Sequence, residues 1–373
     1  MLVSEADWFW GEQVPFSWQG SFWQRANALL KSQRLPNALL FSGQTGLGKA
    51  AFALKWAQRM VCDTPNHHAS LKDGSMPCGQ CGPCCQVREV SYPGLHWLTA
   101  EAPSKVIKID QVREVIEAIQ HTCDGWRIVV IEQAEQMNEA AQNALLKSLE
   151  EPSARTLFLL LSSQPARLLP TVRSRCQRWA FLPPSLGVFK GWIDSLLSGS
   201  ESGIESDSKS VESFFHLSAG SPLLAYRLLQ SETDKKNDES GSAEHDVSKY
   251  ELSLEARQQW VEKWRELHSR RAAVGHMVTL VMEHPADKAL SFMASCVSDL
   301  LKLTMQVDDH ALHNVDVISD LRGMVKEGVS PRYLLSCYGV LLKHWRLVVQ
   351  GHPLNLELLW ESVFLNWMKE NMA

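Results

Sequence analysis

Nothing in this chain approaches the roughly 20 consecutive apolar residues that a membrane-crossing helix requires. Its opening, Met1-Leu2-Val3-Ser4-Glu5-Ala6-Asp7, is polar and does not resemble a secretory signal. Both absences predict a cytosolic protein. An excess of positive charge is missing too. A formal net charge of −5 argues against a chain that coats nucleic acid by itself, while leaving room for a local basic patch. There is no internal repeat of fixed period, so a repeat architecture is not expected. What remains is ordinary: 45% hydrophobic and 21% charged residues over 373 positions, enough for two or three domains, each with its own core. The 9 cysteines, in a reducing cytosol, point to metal binding rather than disulfides where they cluster.

One further absence sits inside a motif. Gly43-Gln44-Thr45-Gly46-Leu47-Gly48-Lys49-Ala50 is a phosphate-binding loop in all but its last residue. The apolar run Ala38-Leu39-Leu40-Phe41 reads as a buried strand before it, and an alanine-rich helical pattern follows. Gly43, Gly46 and Gly48 let backbone N–H groups curl round a phosphate, and Lys49 can reach the outer phosphates. The final Ser/Thr hydroxyl, which would hold magnesium, is replaced by Ala50.

Large aromatics crowd the start of the chain (Trp8, Trp10, Trp18, Phe22, Trp23) and are expected to pin the first segment onto the domain. Residues Ser21 to Gln33 read as a helix. Beyond the loop and its helix stands Cys62, then a polar excursion with His67 and His68 read as solvated, then Cys78-Gly79-Gln80-Cys81-Gly82-Pro83-Cys84-Cys85. Four thiolates at spacing C-x15-C-x2-C-x2-C suit a tetrahedral zinc, and an all-cysteine set implies a structural rather than a catalytic site. Cys62, Cys78, Cys81 and Cys84 are the expected ligands; Cys85 competes with Cys84, which the repeated x2 spacing favours. From Val106 strand and helix alternate. Val106–Ile109 reads as a short strand, and Asp110 as an N-cap to a helix with Val112, Val115, Ile116 and Ile119 on one face. Arg127–Ile131 and Thr156–Leu161 are continuous apolar strands of the parallel-sheet kind, and between them Asn138 caps a helix carrying Ala141, Leu145 and Leu149. The pattern predicts a doubly wound α/β sheet with its ligand edge at the strand C-termini. After Pro183-Pro184 the chain reads as helical, interrupted by polar stretches at about 197–212 and 231–249. The expected division is 1–183 for the P-loop domain, with a zinc module at about 62–85, then 184–232 for a small helical domain, 233–249 for a flexible linker and 250–373 for a helical domain. In the last, Ala289, Phe292, Met293, Val297 and Leu300 form one core stripe, and Leu334, Leu335, Tyr338, Leu341 and Leu342 another.

Arg34-Leu35-Pro36-Asn37-Ala38, the cysteine cluster, Asn143-Ala144-Leu145-Leu146-Lys147-Ser148-Leu149-Glu150-Glu151-Pro152 and Ser174-Arg175-Cys176 together resemble the bacterial clamp-loader subunits of the AAA+ class, components of DNA polymerase III. The resemblance covers about 20–182 by motif and the remainder by domain order. It implies an AAA+ domain with an inserted zinc module, a helical lid and an all-α collar. Hydrolysing members carry Asp-Glu where this chain has Glu132-Gln133, and a lid arginine where it has Leu223; the first-domain sensor position matches Ser162 or Ser163. With Ala50, these departures fall on the groups that coordinate magnesium, activate water and read the γ-phosphate, so ATP hydrolysis is not expected and Gly43, Gly46, Gly48 and Lys49 form a vestigial nucleotide loop. Arg175 is intact. Read alone, Arg173, Arg175 and Arg178 are solvated loop charges; the resemblance implies that Arg175 reaches into a neighbour's ATP site, where such fingers contribute roughly 10³–10⁵ in rate.

The implied function is a non-hydrolysing scaffold subunit that joins gamma/tau and delta subunits in a ring and, through the complex, serves the loading of a sliding clamp onto primed DNA. The alternative is an active gamma/tau-type ATPase, favoured by the retained glycines and Lys49. A free-standing zinc-dependent DNA binder ranks below both, since the chain is acidic and no strong basic-aromatic cluster surrounds the cysteines.

Overall fold

Alternate side chains of the three apolar runs enter two different cores, as expected of strands covered on both faces. In a computed structural model these runs are β1 (Ala38–Ser42), β3 (Arg127–Ile131) and β4 (Thr156–Ser162), joined by β2 (Leu95–Leu98) and β5 (Gln177–Ala180). The structure describes residues 15–64, 76–100, 106–121, 125–197, 208–237, 254–307, 312–349 and 353–369; Trp8, Trp10, His67, His68 and most of the two polar stretches lie outside them. The chain divides into two units, Met1–Gly199 with Ser221–Leu224, and Ser200–Gly220 with Ala225–Ala373.

In the first unit the strands are all parallel, in the order β2-β3-β4-β1-β5. Leu39 and Phe41 face one core with Leu157, Leu159 and Trp179; Ala38 and Leu40 face the other with Phe158 and Leu160. The first core is covered by α1 (Gly20–Lys31) and α2 (Lys49–Val61), with α3 (Gly82–Arg88) against α2. The second is covered by α4 (Ile109–His121), α5 (Glu139–Glu150) and the short α6 (Pro170–Arg175). A last helix, α7 (Leu186–Leu197), packs near the 3-10 turn Ser17–Gln19. The connections reverse direction at β1: the chain leaves it for the β2 side, yet β5 lies on its other flank. A crevice at such a reversal is where open parallel sheets bind ligands, and the phosphate loop stands there.

Two strands depart from the sequence reading. Val106–Ile109 does not form one; Val106 and Ile107 make only isolated bridges, that of Ile107 to Met137, because α4 already starts at Ile109. Asp110 therefore lies inside the first helical turn. The strand in its place is β2, whose Leu95 and Leu98 are buried while His96 and Trp97 are half-buried, a pattern too short to stand out as an apolar run. Asn138 caps α5 as its residue type suggests, its Oδ1 accepting from Ala141 N at 2.8 Å.

The second unit is helical throughout its described residues: α8 (Ser208–Leu217), α9 (Pro222–Asn237, whose first turn belongs to the first unit), α10 (Leu254–His268), α11 (Val274–Met282), α12 (Ala286–Thr304), α13 (Ile318–Gly328), α14 (Pro331–Val349) and α15 (Leu356–Lys369). The α12 stripe Ala289, Phe292, Met293, Val297 and Leu300 is buried in one core with Leu334 and Leu341 of α14, whereas Leu335 is 61% exposed. A buried ionic frame organises one end of this core. Arg257 pairs with Asp316 and donates to Asn314, while Asp299 accepts from the backbone N–H groups of His313 and Asn314 and from Lys302.

Candidate functional site: a self-engaged phosphate loop, a thiol cluster and an exposed arginine

Every carbonyl from Gly43 to Gly48 accepts a hydrogen bond from the chain itself. Lys49 is buried, and its Nζ donates to Gly43 O at 2.8 Å and Gln44 O at 2.7 Å. Ser221 Oγ donates to Thr45 O at 2.7 Å, and the Leu223 backbone N–H to Gly46 O at 3.1 Å. From the N-terminal side, Trp18 Nε1 donates to Leu47 O, and Gln19 Nε2 to both Leu47 O and Gly48 O. Phe16 stacks on Trp18 with centroids 4.7 Å apart, and Trp192 of α7 meets both edge-on. The left-handed glycines thus admit protein: a Cβ on Gly46 (φ 80°) would lie 2.1 Å from Ser221 Oγ, and one on Gly48 (φ 77°) 2.6 Å from the Phe16 ring. Leu223 is buried, with its backbone tied to the loop. Ala50 is fully buried in the first core.

At the end of β3 the substituted acid is engaged as well. Glu132 is buried and its carboxylate accepts from Trp97 Nε1 at 3.1 Å. Gln133 is exposed and adopts a left-handed conformation at φ 52°. Glu135, which the sequence reading passed over, ties β3 to β4: its Oε1 accepts from Ser163 N at 3.1 Å and Ser163 Oγ at 2.5 Å, while Oε2 is buried without a partner. Of the two serines that the resemblance matched to a sensor, Ser163 makes this link and Ser162 Oγ is buried and unbonded. Trp97 carries no motif, so its role was invisible before β2 was placed beside β3.

The thiols of Cys62, Cys78, Cys81 and Cys84 converge, with their sulfurs all within 4.8 Å of one another. Cys62 follows the end of α2, Cys78 and Cys81 lie in the tight turns before α3, and Cys84 is buried in the first turn of α3. Backbone N–H groups support the sulfurs, Cys78 N to Cys62 Sγ at 3.2 Å and Cys81 N to Cys78 Sγ at 3.3 Å. Cys85 stands outside, its Sγ 3.7 Å from Gln80 O and from Arg88 Nη2. Burial pushes the Cys84 thiol well up, with the Cys81 side chain adding to it. Cys78 feels burial in the same direction, but hydrogen bonds led by the Gln80 and Cys81 backbone outweigh it and bring the thiol down to about 6. Soft donors in a closed set of four fit a metal ion that prefers thiolate.

Arg175 ends α6 on the surface. The start of that helix is held by Gln142 of α5, whose Oε1 accepts from Leu169 N at 2.7 Å, and by buried Val172. Arg175 Nη1 donates to Thr171 O at 2.9 Å and Nη2 pairs with the Glu150 carboxylate. Next to it Cys176 is buried, its thiol pushed up to about 11 by burial, so it packs rather than reacts. Arg178 points to the sheet instead, Nε donating to Ser42 Oγ at 2.9 Å.

Residues 18–185 match the family described as DNA polymerase III, delta subunit, and residues 251–369 its C-terminal counterpart. The chain belongs to this family. Among curated relatives named DNA polymerase III subunit delta', the Pseudomonas aeruginosa protein is 29% identical over 360 residues, covering 94% of this chain and 97% of its own length. The Escherichia coli subunit is 30% identical over 217 residues, 58% of this chain and 61% of the relative. A solved Thermotoga maritima protein described as DNA polymerase III, gamma subunit-related, overlaps 92% of this chain and 98% of its own at 14% identity, with a TM-score of 0.40. The sheet order, the self-engaged loop and the motifs thus sit in a clamp-loader family member.

Proposed function

We propose that this chain is a non-hydrolysing subunit of the delta prime type, a rigid member of a clamp-loader ring that lends Arg175 to a neighbouring ATPase. The observation that carries the reading is the contrast between two places in the first unit. The loop that would hold nucleotide gives its carbonyls to Lys49, Ser221, Leu223, Trp18 and Gln19, and Glu132 is bonded to Trp97, whereas Arg175 stands at the surface on a helix fixed by α5. A site without the magnesium hydroxyl at position 50 and the carboxylate at position 133 has no group to polarise water. An exposed guanidinium, by contrast, can stabilise charge on a phosphoryl group presented by another chain.

Its partners in this reading are gamma/tau and delta subunits, with the sliding clamp and primed DNA met through the assembled complex in the cytoplasm. The helices of 250–373 supply the collar, 184–232 the lid, and 1–183 the AAA+ domain. Among the described residues no helix is long and apolar enough to cross a membrane. Cys62, Cys78, Cys81 and Cys84 hold structural zinc, which ties α2 to α3 and supplies no chemistry of its own.

The test is reconstitution with gamma-type and delta subunits. Arg175→Ala is expected to leave assembly intact and to lower the ATPase and clamp-loading rates of the complex by at least tenfold. The isolated wild-type chain is expected to show no magnesium-dependent ATP hydrolysis. Strong hydrolysis by the isolated chain, or full activity of the alanine complex, would sink the reading.

A further inference from the structure

The two sequence motifs that flag the family, Leu149-Glu150-Glu151-Pro152 and Ser174-Arg175-Cys176, meet in one ion pair. Arg175 Nη2 pairs with the Glu150 carboxylate while Nη1 donates to Thr171 O, so both terminal amino groups of the guanidinium are taken up within its own chain. Arg173, two residues earlier on α6, has no ion pair among the described residues. Helix chemistry points the same way. Glu150 is the last residue of α5, where the helix dipole disfavours a carboxylate, so its charge contributes nothing to the helix that carries it. The side chains stay 34% and 48% exposed, which makes the pair weak and open to exchange with another anion.

From this geometry we infer that Glu150 is a positioning residue that parks the Arg175 finger on its own subunit until a stronger anion is offered across the interface. The inference rests on the reading of Arg175 as a trans-acting group. A polyphosphate carries more charge than one carboxylate and accepts the same planar fork of donors. Parking keeps the guanidinium from straying in the free subunit, and it sets a small cost that a neighbour's bound ATP must overcome.

Two measurements separate this idea from the reading beneath it. In the isolated chain, phenylglyoxal labelling followed by mass spectrometry reports the availability of each arginine. Glu150→Gln, which keeps the length of the side chain, is expected to speed labelling of Arg175 two- to fivefold, the range of an exposed pair, with Arg173 as the unchanged internal standard. In the reconstituted complex without DNA, the same variant is expected to lower the KM for ATP two- to fivefold at constant kcat, and the difference is expected to shrink at high salt. In an Arg175→Ala background Glu150→Gln is expected to change nothing. Equal labelling of Arg175 in wild type and Glu150→Gln overturns the parking role even where Arg175→Ala abolishes activity. Faster labelling combined with full activity of the Arg175→Ala complex overturns the trans role, and the assignment of Glu150 with it.

Discussion

Gly46 serves in this chain as a point of contact with its own polypeptide. In a working phosphate loop its missing side chain would make room for a nucleotide; here Ser221 Oγ occupies the space 2.1 Å from where a Cβ would stand. Gly46→Ala is therefore predicted to act on folding. The left-handed φ of 80° and the collision together are expected to cost at least ~1 kcal/mol, read as a lower urea midpoint or melting temperature with no nucleotide present. If stability is unchanged, Ser221–Leu224 does not hold the loop in solution. At the same scale the residues at 50, 132 and 223 have structural roles of their own. Ala50 fills core, Leu223 is buried with its backbone N–H bonded to the loop, and Glu132 accepts from the Trp97 indole N–H.

On the proposed zinc reading, the joint between α2 and α3 is where a metal would contribute to stability. Cys84 and Val87 are the buried side chains of α3, and the four clustered sulfurs lie within 4.8 Å of one another. Structural zinc sites contribute on the order of 10 kcal/mol in apparent binding free energy. One zinc per chain is expected by elemental analysis, and Cys81→Ser or prolonged chelation is expected to release it and lower the melting temperature. Cys85→Ser is expected to keep full zinc occupancy, because its sulfur lies outside the cluster. Loss of zinc in the Cys85 variant would reassign the fourth ligand. Of these elements, β1, β3, β4 and the P-loop helix were legible from apolar runs and flanking turn chemistry. β2 and β5 were not, since an edge strand with two buried residues and a strand reading Gln177-Arg178-Trp179-Ala180 carry no run for periodicity to detect.

At the scale of the whole molecule, three histidines among the described residues have their pKa lowered by their surroundings. Burial lowers the pKa of His96 in β2 and of His268 at the end of α10, where Glu327 opposes it in part, and of His344 in α14, where Lys343 adds to it. Above the ordinary histidine pKa of about 6.5 both folded and unfolded forms are neutral, and these groups do not affect stability. Below it the unfolded chain takes up protons first, so stability falls as pH drops and levels only once the folded groups also charge. Thermal melts from pH 7 to pH 5 are expected to show this loss, and His268→Gln is expected to flatten part of the slope. A slope unaltered by the substitution would assign the acid sensitivity to other groups.

By itself the sequence determined the class of sheet and the four thiols that cluster, with Cys85 as their one rival. These are local properties, set by which residues neighbour which along the chain. Only the tertiary structure decided what occupies the phosphate loop, which acid Trp97 engages and where Arg175 rests. Ser221 lies 176 positions from Thr45, and Trp97 lies 35 from Glu132. No periodicity or motif spacing links residues so far apart, because it is the packing of strands and helices, and not the chain, that makes them neighbours.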